Sequence, residues 1–316
     1  MIYSCIYLHG VSGVEFVDLS VRGRVKALIK LFFKLKGGDK LLFGTPSALM
    51  YIFIVAVKIL KKDVVIVLVD LILQPLSESP WQALVGQVKG RILNLVDSII
   101  VYNKDTSGYI ECYRIKGGLF NHIPFKANNY EIASEYSVEN HGYGFVFGTS
   151  HRDYLTFFKA VEDINYKFIV LAPIESTVTN NSYANFDLAP KNVEIIRERL
   201  SRTDMCTLLA HATFVVLPMK AGVLQPAGIS TILESMMFQK PVIVSSGPSV
   251  NGLFDNNGSV LVFEPGNEKD LRSKIKEFFD QPDKYYSMVK ESYSFVRSLK
   301  GRERLAEEIY NHILEI

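Results

Sequence analysis

The chain has 316 residues, 48% of them hydrophobic, and a formal net charge of +2. That length supports two domains with cores of their own, and the balanced charge gives no reason to expect nucleic acid, whose phosphates call for a concentrated basic surface. Cys5, Cys112 and Cys206 are odd in number, far apart and in no C-x-x-C pair, which argues against a disulfide framework or a zinc site and fits a reducing cytoplasm.

Taken in chain order, the opening "MIYSCIYLHGVSG" lacks the basic start of a secretory signal and reaches His9 and Gly10 early. Strands are expected at "IYSCIYL", "VEFVDL", "KLLFG", "VVIVLVD" and "SIIVYN" in the first half, with helices between most of them. "VRGRVKALIKLFFKLKGGDK" sets a basic stripe of Arg22, Lys26, Lys30 and Lys34 beside an apolar face of Leu28, Leu31, Phe32 and Leu35. A basic amphipathic helix of this kind can lie on an anionic membrane surface or be a sheet-packed helix with a solvated lysine face. "TPSALMYIFIVAVKIL" falls short of the roughly 20 residues a membrane span needs. With Thr45 as N-cap and Pro46 at the first helical position, it reads as a core helix.

Polar, aperiodic "KANNYEIASEYSVENHG" then divides the chain near residue 135. In the second half, strands are expected at "YGFVFGT", "KFIVLA", "NVEII", "FVVLPM", "PVIVSS" and "SVLVFE", and a last helix at 301–316 carries an apolar face of Leu305, Ile309 and Ile313. Alternating strands and helices give an α/β chain of two Rossmann-like domains, residues 1–135 and 136–300. Their ligand crevice is expected at the carboxyl ends of the strands, where the two sheets face across a cleft.

"PAGISTILESMMFQKPVIVSS" places Gly228 at the start of a helix, so that the first free amides, near Ser230 and Thr231, can hold an anion. Glu234 lies one turn on, on the side of Thr231. It can accept hydrogen bonds from hydroxyls attached to such an anion, or be a solvated surface acid.

From Leu217 and Pro218, through Glu234 and Lys240 to Val242, to Asn257, Gly258 and Pro265 to Asn267, the order of motifs resembles the donor-binding half of GT-B glycosyltransferases, closest to the retaining family 4. The resemblance implies two facing domains with a C-terminal helix crossing back to the first. The first domain would bind the acceptor and the second a nucleotide-diphosphate sugar, with Glu234 on the ribose. The acid that the family carries eight residues before its ribose acid is here Pro226, so Lys220 and Gln225 are the polar side chains expected near the donor sugar. "FGTSHRDYLTFFKAV" resembles the first donor-domain strand, loop and helix, and implies that Arg152 pairs with the donor diphosphate.

No Gly-x-Gly-x-x-Gly, Walker loop, His-Glu-x-x-His or Asp-x-Asp is present, so no cofactor or protein-held metal is expected. Asp70 ends "VVIVLVD" and is the candidate base, with His9 and Asp18 as rival groups. The expected function is sugar transfer to a glycan or lipid-linked acceptor on the inner face of the cell membrane. A sugar-nucleotide epimerase and a non-catalytic subunit of the same fold are the alternatives.

Overall fold

The computed structural model describes residues 1–19, 23–61, 63–77, 79–254 and 260–316. The chain divides into two units, Met1–Pro124 with Leu305–Ile316, and Phe125–Arg304. The division falls earlier than residue 135 because the polar segment is bonded into the second unit. Ala127 N–H donates to Lys300 O at 3.0 Å and Glu139 N–H to Ala210 O at 3.0 Å. The C-terminal boundary likewise falls after residue 301, since Arg304 donates to Leu299 O at 2.8 Å and to Phe125 O at 3.1 Å within that unit.

In unit 1 the strands are β1 (Ile2–Ser4), β2 (Val14–Phe16), β3 (Lys40–Phe43), β4 (Val65–Val69), β5 (Ser98–Val101) and β6 (Phe120–His122). They form a parallel sheet in the order β2-β1-β3-β4-β5-β6. Its helices are α1 (Arg24–Lys34), α2 (Ala48–Leu60), α3 (Pro80–Leu93), α4 (Ser107–Tyr113) and the C-terminal α11 (Arg302–Glu315). Strand β6 was not expected; Phe-Asn-His is a short edge strand, half-buried throughout, and so lacks the apolar run of a central parallel strand.

Helix α2 starts later than expected, with Ser47 as N-cap. The Thr45 hydroxyl is engaged elsewhere, donating to Asp70 O at 2.9 Å and accepting from Ile72 N–H at 2.7 Å. It therefore ties the end of β4 to the entrance of α2 and is not free to cap. Leu305, Ile309 and Ile313 of α11 are fully buried. Lys40 Nζ reaches Ile313 O at 2.7 Å, and Ser98 Oγ meets His312 Nε2 at 2.8 Å. A cation at the helix C-terminus satisfies carbonyls that the helix leaves open.

Unit 2 contains β7 (Tyr143–Val146), α5 (Tyr154–Val161), β8 (Lys167–Leu171), α6 (Ile174–Thr179), β9 (Val193–Ile196), α7 (Arg202–His211), β10 (Phe214–Leu217), α8 (Ile229–Met237), β11 (Val242–Ser245), β12 (Leu261–Phe263), α9 (Glu268–Asp280) and α10 (Pro282–Ser298). Its sheet is parallel in the order β12-β11-β10-β7-β8-β9. The strand order reverses beside β7 and β10, whose carboxyl ends open the switch point where open α/β sheets bind ligands. On one face Val146, Phe157, Phe168, Phe214, Ile243 and Phe278 join one apolar cluster.

Candidate functional site

The β7–α5 loop and the start of α8 meet at that switch point. Gly228 caps α8 in the left-handed region, φ 93°, and no side chain caps the helix. Ile229 N–H is taken by Pro226 O at 3.2 Å, so the next amides, at Ser230 and Thr231, are the open donors of the helix end. Beneath them lies Arg152, only 1% exposed. Its Nε donates to Phe147 O at 3.0 Å, Nη1 to Ser150 O at 2.8 Å and to Met219 Sδ at 2.8 Å, and Nη2 to Thr231 Oγ1 at 3.1 Å.

Gly148 makes this packing possible. It has φ +88°, and a Cβ there would stand 2.0 Å from Arg152 Nη2, where no side chain fits. Among the described residues no carboxylate lies within ion-pair distance of Arg152. Burial lowers its pKa to about 10. The guanidinium is thus an unneutralised buried cation behind a helix N-terminus, and both features attract an anion. As placed, its Nη2 is bonded to the Thr231 side chain, so the guanidinium and the open amide of Thr231 belong to one cluster at the start of α8.

Glu234 lies on α8 and is 8% exposed. Asn129 Nδ2 donates to its Oε1, and Asn129 Oδ1 in turn accepts from Arg202 Nε at 2.6 Å. No donor among the described residues reaches Oε2. Burial pushes the carboxyl pKa up to about 7, against the opposing pull of Arg202 and Lys126. Asn129, Arg202 and Lys126 were not anticipated. Asn129 comes from the polar segment with no periodicity, and it is held at φ 56°, a conformation that Asn tolerates better than most residues.

Gln225 is buried, its amide against His151 Nε2 at 2.7 Å. His151 Nδ1 faces Asn181 Nδ2 at 3.2 Å, and Asn181 Oδ1 accepts from Lys220 Nζ at 3.3 Å. A neutral imidazole has one donor and one acceptor, so two NH2 groups cannot both donate to it. Turning the Gln225 amide over places its otherwise unpartnered Oε1 on His151 Nε2–H. Burial lowers the His151 pKa, and Lys220 and Arg152 lower it further. Lys220 and Gln225 line a recess of about 40 Å³ with Gly222, Ser246, Gly247 and Pro265, room for a few waters. They hold the loop through His151, to which no sequence motif points.

The Lys240–Pro241–Val242 turn is anchored by Lys240 Nζ, which donates to Glu139 O at 2.8 Å. In the Pro265–Asn267 turn, Asn267 Oδ1 caps α9 by accepting from Asp270 N–H. Asn257 and Gly258 lie outside the described residues. Nearby, Glu139, His141 and His211 bring three ligand-type atoms within 4.8 Å of one another at the surface, a grouping hidden in the sequence because His211 arrives on α7.

In unit 1, Asp70 follows β4 at φ 57°. Its carboxylate has no hydrogen-bond or ion-pair partner among the described residues, and burial pushes its pKa up. His122 ends β6 with Nε2 buried and without a partner among the described residues. Of the basic stripe, Lys34 is paired with Glu15, Lys26 and Lys30 are exposed, and Arg22 lies outside the described residues. No described helix is long and apolar enough to cross a membrane.

Residues 182–295 match the family described as "Glycosyl transferases group 1". A search of curated proteins finds no significant match. Among solved structures, HepE of Anabaena, in complex with UDP, superposes with a TM-score of 0.69 at 14% identity over 96% of this chain and 86% of its own. Sucrose-phosphate synthase of Thermosynechococcus elongatus gives 0.65 at 14% over 96% and 82%. An α,α-trehalose-phosphate synthase (UDP-forming) of Burkholderia vietnamiensis gives 0.64 at 11% over 93% and 78%. At these identities the likeness is one of fold. The chain has the GT-B fold and, over residues 182–295 of its second unit, the sequence character of the group 1 glycosyl transferases, so that in both respects it resembles a GT-B glycosyltransferase.

Proposed function

We propose that the chain transfers a sugar from a nucleotide-diphosphate donor to a glycan or lipid-linked acceptor at an anionic membrane surface on the cytoplasmic side, as a step in polysaccharide or glycolipid synthesis. The observation that carries this reading is the pair of open amides at Ser230 and Thr231 above the unneutralised cation of Arg152. The donor diphosphate would sit on the amides, and the buried charge would stabilise the negative charge that grows on it as the sugar leaves.

Glu234 would receive the ribose hydroxyls on Oε2, the oxygen that no described donor reaches. This arrangement supplies the neutralising charge from the chain itself, so the reaction is proposed to need no added divalent metal. Asp70 would take the proton of the acceptor hydroxyl, its raised pKa bringing it closer to the operating pH of a general base. Retention of the anomeric configuration is the outcome that the family 4 resemblance implies. HepE of Anabaena was also solved in complex with UDP-glucose, which places UDP-glucose first in a donor panel.

The test is incubation with a panel of nucleotide sugars, with and without lipid acceptors and with a chelator present. Release of nucleoside diphosphate with transfer supports the reading. An epimerised donor, or binding without turnover, overturns it.

A further inference from the structure

Helices α1 and α2 leave between them a groove of about 290 Å³, lined by Val25, Leu28, Ile29 and Phe33 from α1 and by Ile52 and Leu60 from α2. These are large apolar groups in the open: Phe33 is 78% exposed, Ile52 67% and Leu60 69%. Soluble surfaces seldom leave so contiguous an apolar patch uncovered. Val25, Ile29 and Phe33 recur every four residues and form one stripe along α1. It runs beside Leu28 and Leu31, which are buried, Leu28 at the floor of the groove. Exposed Lys26 and Lys30 flank the stripe, and neither helix contains an acidic residue.

The occupant follows from this chemistry. A second copy docked about a two-fold axis would bring its Lys26 and Lys30 towards the same residues of the first, an arrangement that like charges oppose. The groove offers an incoming protein chain no charged or hydrogen-bonding side chain. An aliphatic chain needs neither, and an anionic headgroup beside it would meet the lysines. We propose that the α1–α2 groove takes a hydrocarbon chain of a membrane lipid while Lys26 and Lys30 bind the headgroups around it. This deepens the membrane contact proposed above and moves its centre from the lysine stripe to the apolar one.

Trp81 is the sole tryptophan and is well exposed, so Trp81→Phe with Phe33→Trp places one fluorophore in the groove. Vesicles of zwitterionic lipid, and others containing phosphatidylglycerol, would carry bromine on their acyl chains. Quenching of the indole in the anionic vesicles is expected. Lys26→Gln with Lys30→Gln should weaken partition roughly 25-fold, at about fivefold for each charge. In the otherwise native chain, Ile29→Glu with Ile52→Glu should abolish flotation with vesicles. Absence of quenching at low salt, flotation that survives the Glu substitutions, or a concentration-dependent dimer that shields the indole would each overturn the inference. Nucleotide binding, measured on the same proteins, keeps the two readings apart. Lipid binding without nucleotide binding leaves the groove standing and removes the donor site, and the converse removes the groove alone.

Discussion

Replacing Glu234 by Gln should make stability less dependent on pH while weakening nucleotide binding. In the native chain burial raises the carboxyl pKa from 4.5 to about 7, so the folded state holds the proton more tightly than the unfolded state. Stability from this group is therefore fully present below pH ~4.5, is lost as pH rises through about 7, and stays lost above that. At about 1.4 kcal/mol per pH unit, the native chain should give up about 2.5 kcal/mol between about pH 5 and pH 8 through this residue. Glu234→Gln cannot titrate, yet its amide oxygen can still accept from Asn129. Whatever the substitution costs at pH 5, the variant should gain about 2.5 kcal/mol relative to the native chain by pH 8. Urea unfolding at the two pH values measures this difference of differences, in which effects independent of pH cancel. Nucleoside-diphosphate affinity at pH 8 should fall by about 1.5–3 kcal/mol, the worth of hydrogen bonds to a charged group. An unchanged gap between the two proteins at both pH values would show that Glu234 is not a buried titrating acid.

Arg152→Lys keeps the charge but cannot span Phe147 O, Ser150 O and Thr231 Oγ1. It should cost about 2–4 kcal/mol in unfolding free energy and weaken diphosphate binding more than monophosphate binding, as paired calorimetric titrations would show. Gly148→Ala drives a Cβ into Arg152 Nη2; differential scanning calorimetry should show a lower melting temperature, and titration a loss of nucleotide affinity. Asp70→Asn should lower transfer by at least about 100-fold with donor affinity unchanged. Equal transfer rates in native and variant enzyme would exclude it as base. Removing 305–316 strips three fully buried side chains from unit 1, each worth about 1.5–3 kcal/mol. Urea unfolding should show unit 1 destabilised, while nucleotide titration finds unit 2 still binding.

Among the described residues, every strand but β6 was legible because most strands in these parallel sheets are buried on both faces and must read as unbroken aliphatic runs. Phe120–His122, at the edge of its sheet, had no such requirement. The start of α8 was readable from Gly228 and the residues after it, since a helix terminus is a local property. The surroundings of Glu234 were not. Asn129 stands 105 residues away in sequence and reaches the acid only through the fold. The role of Gln225 was hidden for the same reason, because His151 is 74 residues distant. On α1 the spacing of Val25, Ile29 and Phe33 was visible, yet an amphipathic pattern alone cannot say which of the apolar residues the fold will leave exposed.

Whether the start of α8 holds the diphosphate of a nucleotide donor can be read from the amide resonances of Ser230 and Thr231 in a labelled chain titrated with UDP. Saturable shifts are expected at these two amides and at Gly228, much weaker with uridine, and lost in Arg152→Lys. Shifts equal for uridine and UDP, or a nucleotide that binds while both amides stay still, would contradict that placement of the diphosphate.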